Sequence, residues 1–226
     1  EVVERAEQLL HAFFDNAPIG AAVTAPDGSW RRVNTAFAGM LGYSRAELRA
    51  TSLLALTHPD DVAEARETAR SLLARERESW AFEKRLRARD GSYVWVHLTI
   101  MLQRDSEGRA EQFITYALDV TKRKKAHAKL RASEEQYRRL FESAKDGILI
   151  LDAGSGCVVD ANPFMTELTG YGREDFLGKH LWEIGPFSDI EASKSSFAEL
   201  QAKDYVRYDD LPLKTRDGRA VAVEFV

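Results

Sequence analysis

Leu41-Gly42-Tyr43-Ser44-Arg45-Ala46-Glu47-Leu48 returns 128 residues later as Thr169-Gly170-Tyr171-Gly172-Arg173-Glu174-Asp175-Phe176. Working outward, further stretches return in step. Phe14-Asp15-Asn16-Ala17-Pro18-Ile19-Gly20 matches Phe141-Glu142-Ser143-Ala144-Lys145-Asp146-Gly147, and Asn34 matches Asn162. Arg89-Asp90-Gly91 matches Arg216-Asp217-Gly218. The offset moves between 127 and 128 because the turn at Pro26-Asp27-Gly28 is one residue shorter than its counterpart around Gly154-Ser155-Gly156. Two copies of one domain account for this; a solenoid needs at least three shorter units.

Each copy reads alike. A short apolar run (Gly20 to Thr24, Gly147 to Leu151) meets a Gly-bearing turn and a second strand. Small helical pieces begin at Asn34 and Asn162, where an Asn side chain caps the first turn. In the first copy His58-Pro59-Asp60-Asp61 opens a longer helix, with Pro at a first helical position and two acids opposing the dipole. Val62, Ala65, Ala69, Leu72 and Leu73 give it one apolar face. Trp80 to Ala88, Tyr93 to Arg104 and Gln112 to Asp119 then read as three strands in a meander, with turns at Asp90-Gly91 and Glu107-Gly108.

The whole chain has 226 residues, 44% of them hydrophobic and 30% charged, which is globular composition. Its net charge of −4 gives no basic excess for a nucleic-acid backbone, and nucleic acid is not expected as a partner. A single cysteine, Cys157, excludes an internal disulfide framework and a Cys-rich zinc site. No apolar run reaches the ~20 residues of a membrane span. The charged start Glu1-Val2-Val3-Glu4-Arg5 is unlike a signal peptide, so a cytoplasmic fragment without membrane contact is expected, with room for an anchor in a longer parent.

Ala126, Leu130, Ser133, Tyr137 and Leu140 follow heptad spacing, as do Val2, Ala6, Leu9 and Phe13 before the first copy. Two short coiled-coil seams at equivalent places predict a homodimer. The run Lys122-Arg123-Lys124-Lys125 reads as a solvated helix face.

Taken together, Phe14, Ala17, Gly20, Asn34, Gly42-Tyr43, His58-Pro59-Asp60-Asp61, Arg89-Asp90-Gly91, Trp95-Val96 and Asp119-Val120-Thr121 resemble the PAS domain family in tandem. The resemblance implies an α+β fold of two PAS-like domains, each a five-stranded antiparallel sheet with helices on one face, joined by a helical linker. It places an N-terminal connecting helix at 1–12, a first domain at 13–121, a linker helix at 122–140 and a second domain at 141–226. The second copy stops at Phe225-Val226 inside its expected fourth strand, which reads as truncation before the fifth. In this family the closing Asp-x-Thr of the PAC motif marks where a core hands its signal to a helix, here at Asp119, Thr121 and Leu130. The family's modules serve as sensors and dimerisation elements of histidine kinases, cyclic-dinucleotide enzymes and other two-component regulators. No HExxH, phosphate loop, catalytic triad, phosphoacceptor or cyclase signature stands in the chain, which reads as a regulatory fragment.

The strand at 93–104 puts Val94, Val96, Leu98 and Ile100 on one face and Trp95, His97, Thr99 and Met101 on the other. The aliphatic face is the core face. It holds no amide, and Cys157 lies in a first hairpin, so covalent flavin photochemistry is not expected; non-covalent flavin stays open. Haem would need an axial His, but Asp61 to Arg77 and Asp189 to Lys203 contain none. His58 reads as a cap, His97 as outer, His11 and His127 as helix residues, and His180 as a loop residue. No particular cofactor is assigned.

In the strand before it, Trp80, Phe82, Lys84 and Leu86 share a face. With Phe37, Met40, Val96 and Leu98 they are the pocket candidates. Lys84 has two readings: an edge-strand side chain with its stem on apolar surface and its amine in water, or a partner for an anionic ligand such as a carboxylate. Trp95 on the outer face is expected to meet a flanking helix or a partner chain, or simply to pack within the chain. Two functions therefore stand: a sensory module with a small-molecule ligand, and a dimerisation spacer with filled cores.

Overall fold

In a computed structural model the described residues are 2–185 and 208–225, without side chains for 2–4, 6, 7, 208–212, 224 and 225. They form two compact units, 1–129 and 130–226. The Asp189–Lys203 stretch, and the side chains of Val2 and Ala6, lie outside the described part.

The first unit opens with helix α1 (Val2–Asn16), then strands β1 (Gly20–Thr24) and β2 (Trp30–Val33). Helices α2 (Thr35–Leu41), α3 (Arg45–Arg49) and α4 (Leu53–Leu56) follow, and then a 3-10 turn at Pro59–Asp61 leads into α5 (Val62–Leu73). Strands β3 (Ser79–Arg87), β4 (Tyr93–Arg104) and β5 (Ala110–Asp119) complete it. They make one antiparallel sheet in the order β2-β1-β5-β4-β3. The last strand thus sits in the middle, pairing with β1 from Gly20↔Ala117 to Thr24↔Phe113 and with β4 from Val96↔Asp119 onward.

The helices cover one sheet face. Phe37, Leu41, Leu48 and Leu56 meet Phe82, Leu86, Val96 and Leu98 in a single core, with Trp30 edge-on to Phe37. Alternation along β3 and β4 therefore holds as read from the sequence. His58 caps the 3-10 turn, its Nδ1 accepting from the Asp60 N–H at 3.2 Å. The face assigned to α5 needs correction. Leu73 is exposed, while Thr68 and Ser71 are buried beside Leu72. Thr68 can lie inside because its hydroxyl donates to the Glu64 carbonyl one turn back, so no polar group goes unmatched. The helix stops at Leu73, short of Arg77, with Arg75 left-handed at φ 60°.

Helix α6 (Thr121–Ser143) carries the division between the units, and among the described residues no helix is long and apolar enough to cross a membrane. The second unit continues with β6 (Leu149–Leu151), β7 (Val158–Ala161), α7 (Pro163–Thr169), α8 (Arg173–Phe176), β8 (Tyr208–Lys214) and β9 (Ala220–Phe225). Here the expectation of a second five-stranded sheet is corrected. The described residues form two separate pairs, β6-β7 and β8-β9. The reason is visible in the first unit, where β5 alone joins the β2-β1 pair to the β4-β3 pair. Among the described residues no strand corresponds to β5, so none of them bridges the two hairpins.

The repeat nonetheless extends to local chemistry. Asn34 Oδ1 accepts from the N–H groups of Ala21 and Phe37, both at 2.8 Å, and its Nδ2 donates to the carbonyls of Phe14 and Ile19. Asn162 does the same with Ile148, Met165, Phe141 and Asp146. Gly42 and Gly170 end α2 and α7 at the same left-handed φ of 73°, a conformation in which a Cβ is strained. Arg89 and Arg216 then donate their backbone N–H groups to Leu41 and Thr169.

Candidate functional site

Among the residues singled out in the sequence, Lys84 stands at a cavity. Although β3 is an edge strand, the water-seeking reading of Lys84 is overturned: the residue is only 1% exposed. The chain at 57–61 folds over the free edge, with Thr57 bridging Leu86 and the His58 N–H donating to the Arg85 carbonyl at 2.9 Å. That cover blocks the lysine's route to solvent. Its Nζ donates to Thr57 Oγ1 at 3.0 Å, and Thr57 Oγ1 donates onward to the Leu53 carbonyl. Burial pushes the amine down to about 8, against the pull of the Asp61 and Glu64 carboxylates.

Lys84 lines a cavity of about 250 Å³ between α4, α5, the β1-β2 turn and the sheet. Leu53, Leu54, Ala65, Ala69, Ile100 and Phe113 give it apolar walls, and Thr24, Ser52, Thr68 and Thr115 add hydroxyls. Exposed Asp27 and Arg66 stand at its solvent side. Thr115 is 1% exposed, and its Oγ1 has no hydrogen-bond partner.

Of the pocket candidates from the sequence, only Lys84 reaches this cavity. Phe37, Phe82, Leu86, Val96 and Leu98 are core residues, with Trp80 packed against them under the Arg77 guanidinium. Met40 lines a separate surface groove with Gly42, Arg89 and Val94. Sequence reasoning missed Thr115. Its signal was available: on β5 it alternates inward with Phe113 and Ala117, a hydroxyl on an apolar face.

On the outer face, the residues flanking Lys84 reach the start of α6. Glu83 pairs with Arg123 and Lys124, and these cations, Lys124 foremost, hold its carboxyl below the usual range. Arg85 binds Asp61 through two nitrogens, at 2.7 and 3.0 Å, and its guanidinium lies 5.3 Å from the Trp95 ring. Lys124 stands 4.9 Å from the same ring. The Trp95 N–H donates to Thr121 Oγ1 at 2.9 Å, the Val120 N–H donates to the Trp95 carbonyl, and Asp119 Oδ1 accepts from the Thr121 N–H. Trp95, Asp119 and Thr121 are thus brought together. Leu130 lies farther along α6 and is exposed, as are Tyr137 and Leu140.

Cys157 sits beside the His180 ring in the second unit, its Sγ 3.8 Å from Nε2. Among the described residues no group of His, Cys, Asp or Glu is arranged to hold a metal ion.

Two family models match this chain, both described as PAS fold, over residues 25–117 and 135–200. A probable diguanylate cyclase of Escherichia coli is 29% identical over 140 residues, 62% of this chain and 12% of that protein. Sporulation kinase E of Bacillus subtilis is 25% identical over 114 residues, 50% of this chain and 15% of that protein. This chain therefore spans a small part of each relative's length. Among solved structures, a sensory box histidine kinase/response regulator from Burkholderia thailandensis is 26% identical with a TM-score of 0.46, covering 59% of this chain and 99% of that one.

Proposed function

The chain belongs to the PAS family, and from that premise we propose that it is a sensory module whose first core takes up a small ligand and passes the change to α6. The observation that carries this reading is the run Glu83-Lys84-Arg85. Its middle side chain enters the cavity, while its neighbours grip the first turn of α6 and the Trp95 ring. A shift of β3 at Lys84 therefore moves the contacts that hold the helix start. α6 acts as a connecting helix into the second unit and on to an effector, a histidine kinase or cyclic-dinucleotide enzyme, in a cytoplasmic regulator. The exposed seam of Leu130, Tyr137 and Leu140 supports pairing with a second copy.

The spacer alternative needs a filled first core, and the cavity beside Lys84 counts against it. In the full-length protein, a helix-breaking insertion beside Leu130 is expected to abolish output and leave both cores folded. Undiminished output would sink this reading.

A further inference from the structure

We propose that the first core's ligand is a monocarboxylate with a compact apolar body, its carboxylate held by Lys84, with Thr115 a second donor in the same cavity. This rests on the sensory reading above and names the ligand class. A buried lysine is ordinarily paired with an acid. Lys84 is not: one N–H reaches Thr57, and no carboxylate oxygen hydrogen-bonds its amine among the described residues. Asp61, the acid with the strongest pull on it, is already engaged by Arg85. Thr115 supplies a second, independent sign, a buried hydroxyl lining the same cavity with no partner. A carboxylate accepts from the ammonium, and with a bridging water it takes up the hydroxyl as well.

The remaining walls select the rest of the ligand. Leu53, Ile100 and Phe113 line the interior without charge, so a second anionic group would find a cation only in Arg66 at the solvent side, which favours a monocarboxylate over phosphate and dicarboxylates. A volume of about 250 Å³ is smaller than that of drug-sized pockets and suits a short acyl or single-ring acid.

The test is calorimetric titration of the intact chain with benzoate and hexanoate, beside their neutral counterparts benzyl alcohol and hexanol. The acids are expected to bind and the alcohols to bind at least about 10-fold more weakly. Lys84→Met is expected to weaken the acids about 10- to 100-fold. Thr115→Val changes only an unpartnered hydroxyl and keeps the fold, so it provides a variant that does not depend on the lysine; a loss of about 3- to 10-fold is expected for it. Alcohols binding as tightly as acids, unchanged acid affinity in both variants, or no binding of either acid would each overturn the assignment. Hydrogen exchange at 121–129 separates this from the wider reading. Acids that bind without altering exchange there would support the ligand class and refute the sensory mechanism. Exchange that responds to a neutral ligand when the acids do not bind would do the reverse.

Discussion

The Glu83 carboxylate clasps Lys124, in the first turn of α6, on the sheet face opposite Lys84. Only one peptide unit separates the residue in the cavity from the residue that holds the helix. Glu83→Gln is expected to leave benzoate affinity within about twofold and to cost under about 1 kcal/mol of stability, since the pair is partly solvated. It should erase the benzoate-induced change in hydrogen exchange at 121–129. An unaltered exchange response would show that the helix is driven by another contact.

The Lys84 amine titrates at about 8 when folded and near 10.5 when unfolded. Between those values the unfolded chain binds more protons, so stability rises with pH by about 3 kcal/mol from this group, and below pH 8 its slope vanishes. Urea melts from pH 7 to 10.5 should show this rise in the parent protein and lose it in Lys84→Met. The charges facing the amine are Asp61 and Glu64, with Asp27 and Arg66 at the cavity mouth. Benzoate needs the charged amine, so its affinity should fall up to about tenfold per pH unit above 8.

Thr115→Val should stabilise the ligand-free protein by about 1 kcal/mol, because it removes a buried hydroxyl that bonds to nothing. Thermal melts read the effect. A loss of stability would mean that the hydroxyl has a partner after all.

Asn34→Ala removes four hydrogen bonds inside the first unit and should cost about 3 kcal/mol or more. Asn34→Asp keeps the acceptor but sets a buried carboxylate oxygen against the Phe14 and Ile19 carbonyls, so it should cost at least as much. Denaturant melts that leave either variant within about 1 kcal/mol of the parent would show that the network is dispensable.

Much of the architecture was legible in the sequence, for physical reasons. The strands at 79–87 and 93–104 alternate strictly, so their inward faces could be assigned, and Asn34 and Asn162 announced their caps by preceding amphipathic turns. The site was less legible. Lys84 could be placed on the core face, but its burial depends on Thr57 and His58 crossing the edge of β3, a tertiary event no local pattern records. Phe37, Leu86 and Val96 look like pocket residues because they are apolar and inward. Those same properties make them fill the core, and the cavity opened instead where small and hydroxyl side chains such as Thr24, Ala65, Thr68 and Thr115 leave space.

The position of β5 has a consequence for biosynthesis. The last strand of the first unit is the one its other strands lean on, and the pairing of Gly20 with Ala117 spans almost the whole of that unit. On the ribosome, β1-β2 and β3-β4 emerge as two hairpins with unprotected inner edges, and such edges invite strand addition from neighbouring chains. Folding therefore waits for residues 110–119 and then closes in one cooperative step of high contact order. Phe113 and Thr115 arrive on that same strand. A nascent chain thus gains its protected sheet and its complete cavity at the same moment, and any ligand that the cavity holds would favour that closure.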